Sequence, residues 1–309
     1  MTTMQGVPDY RIPIGTWVEG GVDWVQANLT GVLDGISDGL GLVIGGFEQA
    51  LLAIPPLLLA ALIVALAWWR LGWRFAAFAV VAMALIFGMD IWEETVATLA
   101  LVISSSLVAL VIGIPIGIAM ARSDSVQAVV RPVLDFMQTM PPFVYLIPAA
   151  IFFGLGKVPG AIATLIFAMP PAVRLTNLGI RQVSPEHVEA GHAFGCTDRQ
   201  LLIKVQLPLA MPSIMAGVNQ TIMLALSMVV IASMIGAGGL GNTVLTGIQR
   251  LNVGLGFEGG LGVVLLAILL DRITQSFGKA GRDGSSRRQS TSLARIKQAL
   301  GQGVDEPPA

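Results

Sequence analysis

Ser184-Pro-Glu-His-Val-Glu-Ala-Gly-His-Ala-Phe-Gly195-Cys-Thr-Asp-Arg-Gln-Leu-Leu-Ile-Lys-Val-Gln-Leu-Pro208 is a polar stretch inside a very apolar chain. Ser184 followed by Pro185 reads as a helix start, a side-chain cap and then proline at the first helical position. Gly195 suits the left-handed turn that ends such a helix. Thr197 with Gln200 three residues on predicts a capping box for a second short helix, which Pro208 is expected to stop. Two short helices joined by a glycine, set between apolar runs of membrane length, form a bracket offered to something outside the lipid.

Only 12% of the 309 residues are charged and 54% are hydrophobic, with a mean hydropathy of +0.77. Soluble domains carry about 25% charged residues, so the composition is that of a membrane protein. The single Cys196 excludes an internal disulfide framework, and two histidines are too few for a zinc-type cluster. Residues 1–10 lack a basic stretch followed by an apolar core, so no cleavable signal peptide is expected.

Along the chain, Val18, Val22, Val25, Leu29, Val32, Ile36, Leu40, Val43, Phe47 and Leu51 recur at steps of three and four and predict one stripe of an amphipathic helix. Glu19, Asp23, Asp34, Asp38 and Glu48 lie opposite. Eight glycines between Gly20 and Gly46 leave open whether this is one helix or two. Such a helix lies on the membrane surface, and its acidity favours the outer face over the anionic cytoplasmic leaflet. Spanning segments of about 20 apolar residues are then expected at 51–69 and 75–91. A third is enclosed by Glu94 and Arg122, and a fourth by Asp135 and Lys157, kinked or shortened by Pro141, Pro142 and Pro148. The fifth to seventh are 158–173, 214–235 and 255–270, which makes an all-α protein of seven transmembrane helices.

Lysine and arginine placement sets the orientation, because positive loops stay in the cytoplasm. With the N-terminus outside, 15 of the 18 basic residues fall inside, leaving only Arg11, Lys157 and Arg250 outside. Asp90, Glu93, Glu94 and Glu258 then face outward, and 184–208 is cytoplasmic. Trp68, Trp69, Trp73 and Trp92 fall at span ends, as an aromatic belt does. The expected organisation is an external segment 1–50, a transmembrane domain 51–275, and a basic cytoplasmic tail 276–309 that is disordered apart from a short helix near 293–300.

Within the bracket, Glu189-Ala190-Gly191, three residues, Gly195, nine residues, Val205, one residue and Leu207-Pro208 resemble the EAA motif of ABC-importer permeases. Gly191 and Val205 stand where that pattern has a small residue and isoleucine, so both keep the size class. Residues 137–141, 173–183 and 219–241 also look like the glycine betaine/proline betaine permeases, the similarity covering roughly 20–275. The resemblance implies a type I ABC-importer permease fold, a homodimer, and an extracytoplasmic substrate-binding protein. It also implies a cytoplasmic ATPase subunit docked on 184–208, which carries the ATP and Mg while this chain holds no cofactor or metal. Choline permeases are close relatives and remain the alternative. No G-x-x-x-x-G-K-[ST] occurs, so a phosphate-cradling loop is not encoded here.

Asn219, Gln220, Thr221, Ser227 and Ser233 in the sixth span are the candidates for lining a translocation pathway, against plain interhelical hydrogen bonding. Ser104, Ser105 and Ser106 are weaker candidates. Gly236, Gly238, Gly239 and Gly241 match a dinucleotide fingerprint formally but follow a membrane helix rather than a strand. They are read as a break at the outer end of the sixth span, part of an outer gate, with Asp90, Glu93 and Glu94 as a docking surface for a binding protein. Gly113 and Gly117 read as close helix packing. An ion-coupled transporter would need ionisable residues deep in the spans, and none occurs in 95–121 or in the uncharged run between Lys204 and Arg250. The spans likewise hold no constellation for an intramembrane enzyme.

Overall fold

The computed structural model describes residues 13–301, with side chains described as far as Phe277. Twelve α-helices and no strand occur among the described residues. In order they are α1 (Ile14–Leu52), α2 (Pro56–Leu71), α3 (Trp73–Gly88), α4 (Trp92–Arg122), α5 (Asp124–Thr139), α6 (Pro142–Phe153), α7 (Lys157–Arg181), α8 (Pro185–Ala193), α9 (Asp198–Leu201), α10 (Leu207–Ala232), α11 (Leu240–Gln249) and α12 (Val253–Gly301). A π-helical turn (Leu202–Gln206) links α9 to α10, and a 3-10 turn (Ser233–Ile235) ends α10. The tail assigned to 276–309 lies, past Phe277, outside the residues described with their side chains.

Each of the seven expected spans is helical, but their lengths differ. By length and hydropathy α1, α4, α7, Asp198–Ile235 and Val253–Phe277 can each cross a bilayer, and α5 with α6 would add a sixth as a pair bent by 100°. The prolines read as a kink explain that bend: Pro141 precedes α6 and Pro142 opens it. The 16-residue α2 and α3 are shorter than expected. Pro55 and Gly72 (φ +87°) delimit α2, which moves Leu51 and Leu52 into α1. The α5 helix was not anticipated as a separate element; Ser123 caps it, accepting from the Val126 N–H.

The expected surface helix α1 runs as one element with a kink at Leu29 (φ −119°, ψ 18°). Its packed face differs from the predicted stripe: Val18, Leu29, Val32 and Ile36 are exposed, while Ile44 is the buried residue. Glycines cover so much of the helix that side-chain periodicity alone leaves its contact face undefined. Glu48, assigned to the polar side, instead pairs with Lys157 at 2.5 Å, and Gln26 donates to the Ile151 carbonyl at 2.9 Å.

The centre is made by α4, α7 and α10, which pack on small residues. Gly117 faces the Val173 carbonyl and Thr176, Gly179 faces Ala210 and Ser213, and Gly217 faces the Pro171 carbonyl. Val102, Ala168, Val173, Ala225, Val229 and Ala232 are fully buried there. The bracket hangs from the ends of α7 and α10, so the three central helices fix its mount.

Candidate coupling loop and the polar residues of the spans

Helix α8 starts where the Ser-Pro pair predicts, with Pro185 at the first helical position. The expected side-chain cap is absent. The Ser184 hydroxyl pairs with His187 Nδ1 at 2.6 Å, so the histidine takes the oxygen that would have accepted from the helix N–H groups. Backbone N–H donation, and then the Ser184 hydroxyl, hold the Glu186 carboxyl below its ordinary value. Gly195 ends the helix in the left-handed region (φ +75°), with its N–H on the His192 carbonyl and the Cys196 N–H on Gly191. The Thr197–Gln200 capping box is present in both directions, at 3.3 Å and 2.9 Å.

Pro208 does not stop the second helix. One turn of α9 passes through the π-helical turn directly into α10, and Pro208 lies in the first turn of α10. Proline has no N–H for the Lys204 carbonyl, and the wider turn just before it absorbs that missing bond. The bracket is therefore one short free helix plus the beginning of a long one.

The two halves of the bracket pack on each other through Gly191. A Cβ there would meet Leu201 Cδ1 at 2.5 Å and Val205 at 3.9 Å, so an alanine, as in the resembling motif, would require the Leu201 side chain to turn aside. Leu201 and Leu202 are buried, and Leu207 packs with Ile180, Ala210 and Ile214. Arg181 fastens the mount: it donates to Asp124 at 2.6 Å, to the Met120 carbonyl at 2.8 Å and to Asn177 at 3.1 Å. A cavity of about 530 Å³, lined among others by Arg122, Arg181, Val188 and His192, separates α8 from the ends of α4 and α7. Glu189 and Ala190 lie on the free outer face, and Glu189 makes no ion pair among the described residues. Phe194 beside them is 90% exposed. Sequence reading passed over Phe194, although an aromatic at the tip of a polar loop was a visible signal. No cluster that could hold a metal occurs among the described residues.

The five candidates for the pathway do not share one face. Gln220 and Ser227 are exposed on the side of α10 that also carries Met223, with Met234 exposed in the 3-10 turn beyond it, whereas Thr221 and Ser233 are buried. Ser233 donates to Val230 and Ser227 to Met223, both within the helix. The Asn219 amide donates to Asp271 of α12 at 2.7 Å, and its oxygen accepts from Thr274 at 3.2 Å. Ser104 donates to the Ala100 carbonyl, while Ser105, Ser106, Thr176 and Thr221 are buried hydroxyls without a partner among the described residues.

The glycine run breaks the sixth span as expected, with Gly236, Gly238 and Gly239 at φ +86°, +78° and +68°. The Leu240 N–H donates to Thr98 Oγ1 at 2.8 Å, a Cβ on Gly239 would lie 2.5 Å from that oxygen, and one on Gly241 would collide with the Val229 carbonyl. These glycines let the loop descend onto α4 and α10. Asp90 (φ +55°) and Glu93 are exposed and Glu94 is half-buried, the two glutamates lying in the first turn of α4 where the helix dipole favours them. Replacing Thr98 by valine orphans the buried Leu240 N–H, a loss of about 1–3 kcal/mol. The purified Thr98→Val permease is expected to melt lower and to be cut faster by protease near 236–241, while Thr98→Ser matches wild type.

Residues 113–280, from the middle of α4 into α12, match the family described as binding-protein-dependent transport system inner membrane component. The chain is 49% identical to the glycine betaine/proline betaine transport system permease protein ProW of Escherichia coli (strain K12), over 91% of this chain and 79% of that one. It is 51% identical to the glycine betaine/carnitine transport permease protein GbuB of Listeria monocytogenes, over 90% of this chain and 99% of that one. The choline transport system permease protein OpuBB of Bacillus subtilis is 31% identical over 55% of this chain. In architecture the chain resembles the MetNI methionine ABC transporter in inward-facing conformations, with a TM-score of 0.54 at 21% identity over 60% of this chain and 93% of that one. With this fold, the type I ABC-importer permease fold, the chain belongs to the family of inner membrane components of binding-protein-dependent transport systems.

Proposed function

We propose that this chain is the permease subunit of an ATP-driven importer that moves glycine betaine or proline betaine inward by alternating access. The observation that carries the substrate is identity near one half along nine tenths of the chain to permeases named for glycine betaine, against 31% over 55% for one named for choline. The chain performs no chemistry. A cytoplasmic ATPase subunit supplies ATP and Mg, and docks on 184–208 through Glu189, Ala190 and Phe194. The supporting geometry is a loop whose inner face is packed by Gly191, Leu201 and Val205 and whose outer face is free. Two copies face each other across the pathway. The uncovered side of α10, with Gln220, Met223 and Ser227, supports that arrangement. The N-terminus lies outside and the C-terminus in the cytoplasm, on the strength of the basic residues flanking the bracket. A binding protein delivers substrate at the outer face, where Asp90, Glu93 and Glu94 gather.

Reconstitution of the permease with its ATPase and binding protein in proteoliposomes tests the reading. Uptake of labelled glycine betaine is expected to require ATP and to be competed by proline betaine better than by choline. Uptake driven by a sodium or proton gradient without ATP would remove it, and preference for choline would move the substrate to the alternative.

A further inference from the structure

Asp271 lies within the apolar stretch Val253–Phe277, on α12, and no cation pairs with it among the described residues. Its carboxyl accepts from Asn219 Nδ2 of α10 at 2.7 Å and from Gln275 Nε2 at 2.8 Å. The single proton of the Thr274 hydroxyl is shared between the Leu270 carbonyl, which is the nearer, and the Asn219 amide oxygen at 3.2 Å. Asp271 directly follows the seventh span, beside Arg272, and a carboxyl there that accepts from an amide on another helix ties α12 to α10 by a charge-assisted hydrogen bond. Above this polar cluster the α10–α12 interface is apolar, with Leu226 and Val229 against Leu265 and Leu269 in one core.

The position of the cluster gives the role. Helix α10 is the direct continuation of the bracket, and Asn219 sits twelve residues beyond Leu207, about 18 Å along the axis. Helix α12 leads from Asp271 to the outer side, where Gly259 and Gly262 fit closely against Val244 and Leu240 of α11. Helix α11 is hung in turn on Thr98 of α4. One chain of fixed contacts thus runs from 184–208 to the glycine loop 236–241.

We propose that Asp271 is a positioning residue that clamps α12 to α10 through Asn219, so that displacement of the coupling loop carries the α11–α12 hairpin and the outer loop with it. The inference rests on the transport function proposed above. A clamp without this role would hold the fold and leave the ratio of transport to ATP hydrolysis untouched.

The test uses the full complex in proteoliposomes, reading basal ATP hydrolysis and glycine betaine taken up per ATP. Asp271→Leu is expected to keep basal hydrolysis within about twofold while uptake per ATP falls about tenfold, the loss of a charge-assisted hydrogen bond. Asp271→Asn, which still accepts from Asn219, is expected to retain at least about half of the wild-type ratio. Asn219→Asp sets two carboxylates against each other and is expected to fail like the leucine variant, and adding Asp271→Asn to it restores the pair and the ratio. The inference is overturned by a wild-type ratio in Asp271→Leu, by equal losses in Asp271→Leu and Asp271→Asn, or by a fall in uptake matched by basal hydrolysis. A wild-type complex that takes up nothing with ATP sinks the transport reading, and the clamp's role falls with it.

Discussion

Glu189→Lys is expected to lower ATP-dependent uptake by roughly tenfold or more while the permease reaches the membrane at wild-type abundance: we propose that Glu189 faces a basic residue of the ATPase, and like charges set face to face across an interface cost several kcal/mol. The residue sits near the middle of α8 on its free side and has no ion-pair partner within the described residues, so the reversal leaves the fold of the bracket intact. What holds that fold is elsewhere: Gly191 on Leu201, the Thr197–Gln200 box, and Arg181 on Asp124 and Met120. Membrane abundance by immunoblot and uptake in the same vesicles separate loss of coupling from loss of protein, and uptake within twofold of wild type would remove Glu189 from the interface. Phe194 supplies an independent arm. A phenylalanine 90% exposed to water gains by burial in a partner's pocket, and such aromatic anchors are commonly worth about 2 kcal/mol or more. Phe194→Ala is therefore expected to weaken recovery of the ATPase with the permease even where Glu189 is untouched.

How much of this was legible in the sequence follows from how local each determinant is. The Ser-Pro start, the Gly195 turn and the capping box depend on residues three or four apart, and two of the three form as read. The Ser184 cap fails because His187, equally local, competes for the same oxygen. Pro208 misleads because a proline that would end an α-helix can be accommodated behind a π-helical turn, a register that local propensity does not encode. The pathway candidates were chosen for polarity within one helix. Their separation is decided by tertiary packing, which buries Thr221 and pairs Asn219 with Asp271 of α12. Asp271 was lost for a simpler reason: the apolar run was ended at Leu270, one residue before it, while the helix continues. The shifted face of α1 belongs to the same class, since a glycine-rich helix takes its contact face from its neighbours.

Gly117→Val is expected to abolish the folded permease, the largest effect of any single substitution considered. A Cβ at Gly117 would stand 2.6 Å from the Val173 carbonyl oxygen and 2.7 Å from Thr176 Cβ, so its first neighbour is backbone and has no rotamer with which to yield. At Gly113, one turn earlier, the nearest atoms are Met169 Cγ at 3.2 Å and Ala172 Cβ at 3.3 Å, side chains that need give only slightly. Overpacking in a close-packed interior costs about 1–3 kcal/mol where side chains can shift and more where they cannot. Helix association in lipid has little hydrophobic drive to offset that, so the approach of α4 to α7 depends on the small residues themselves. The pair Gly113→Ala and Gly117→Val is therefore diagnostic. After detergent extraction and size-exclusion chromatography, the first is expected to elute as wild type and the second to be lost to aggregate. If Gly117→Val elutes normally and still transports, α4 and α7 do not meet as closely as the bracket's mount requires. The rigid path from 184–208 to the outer loop would then have to run through α12 alone.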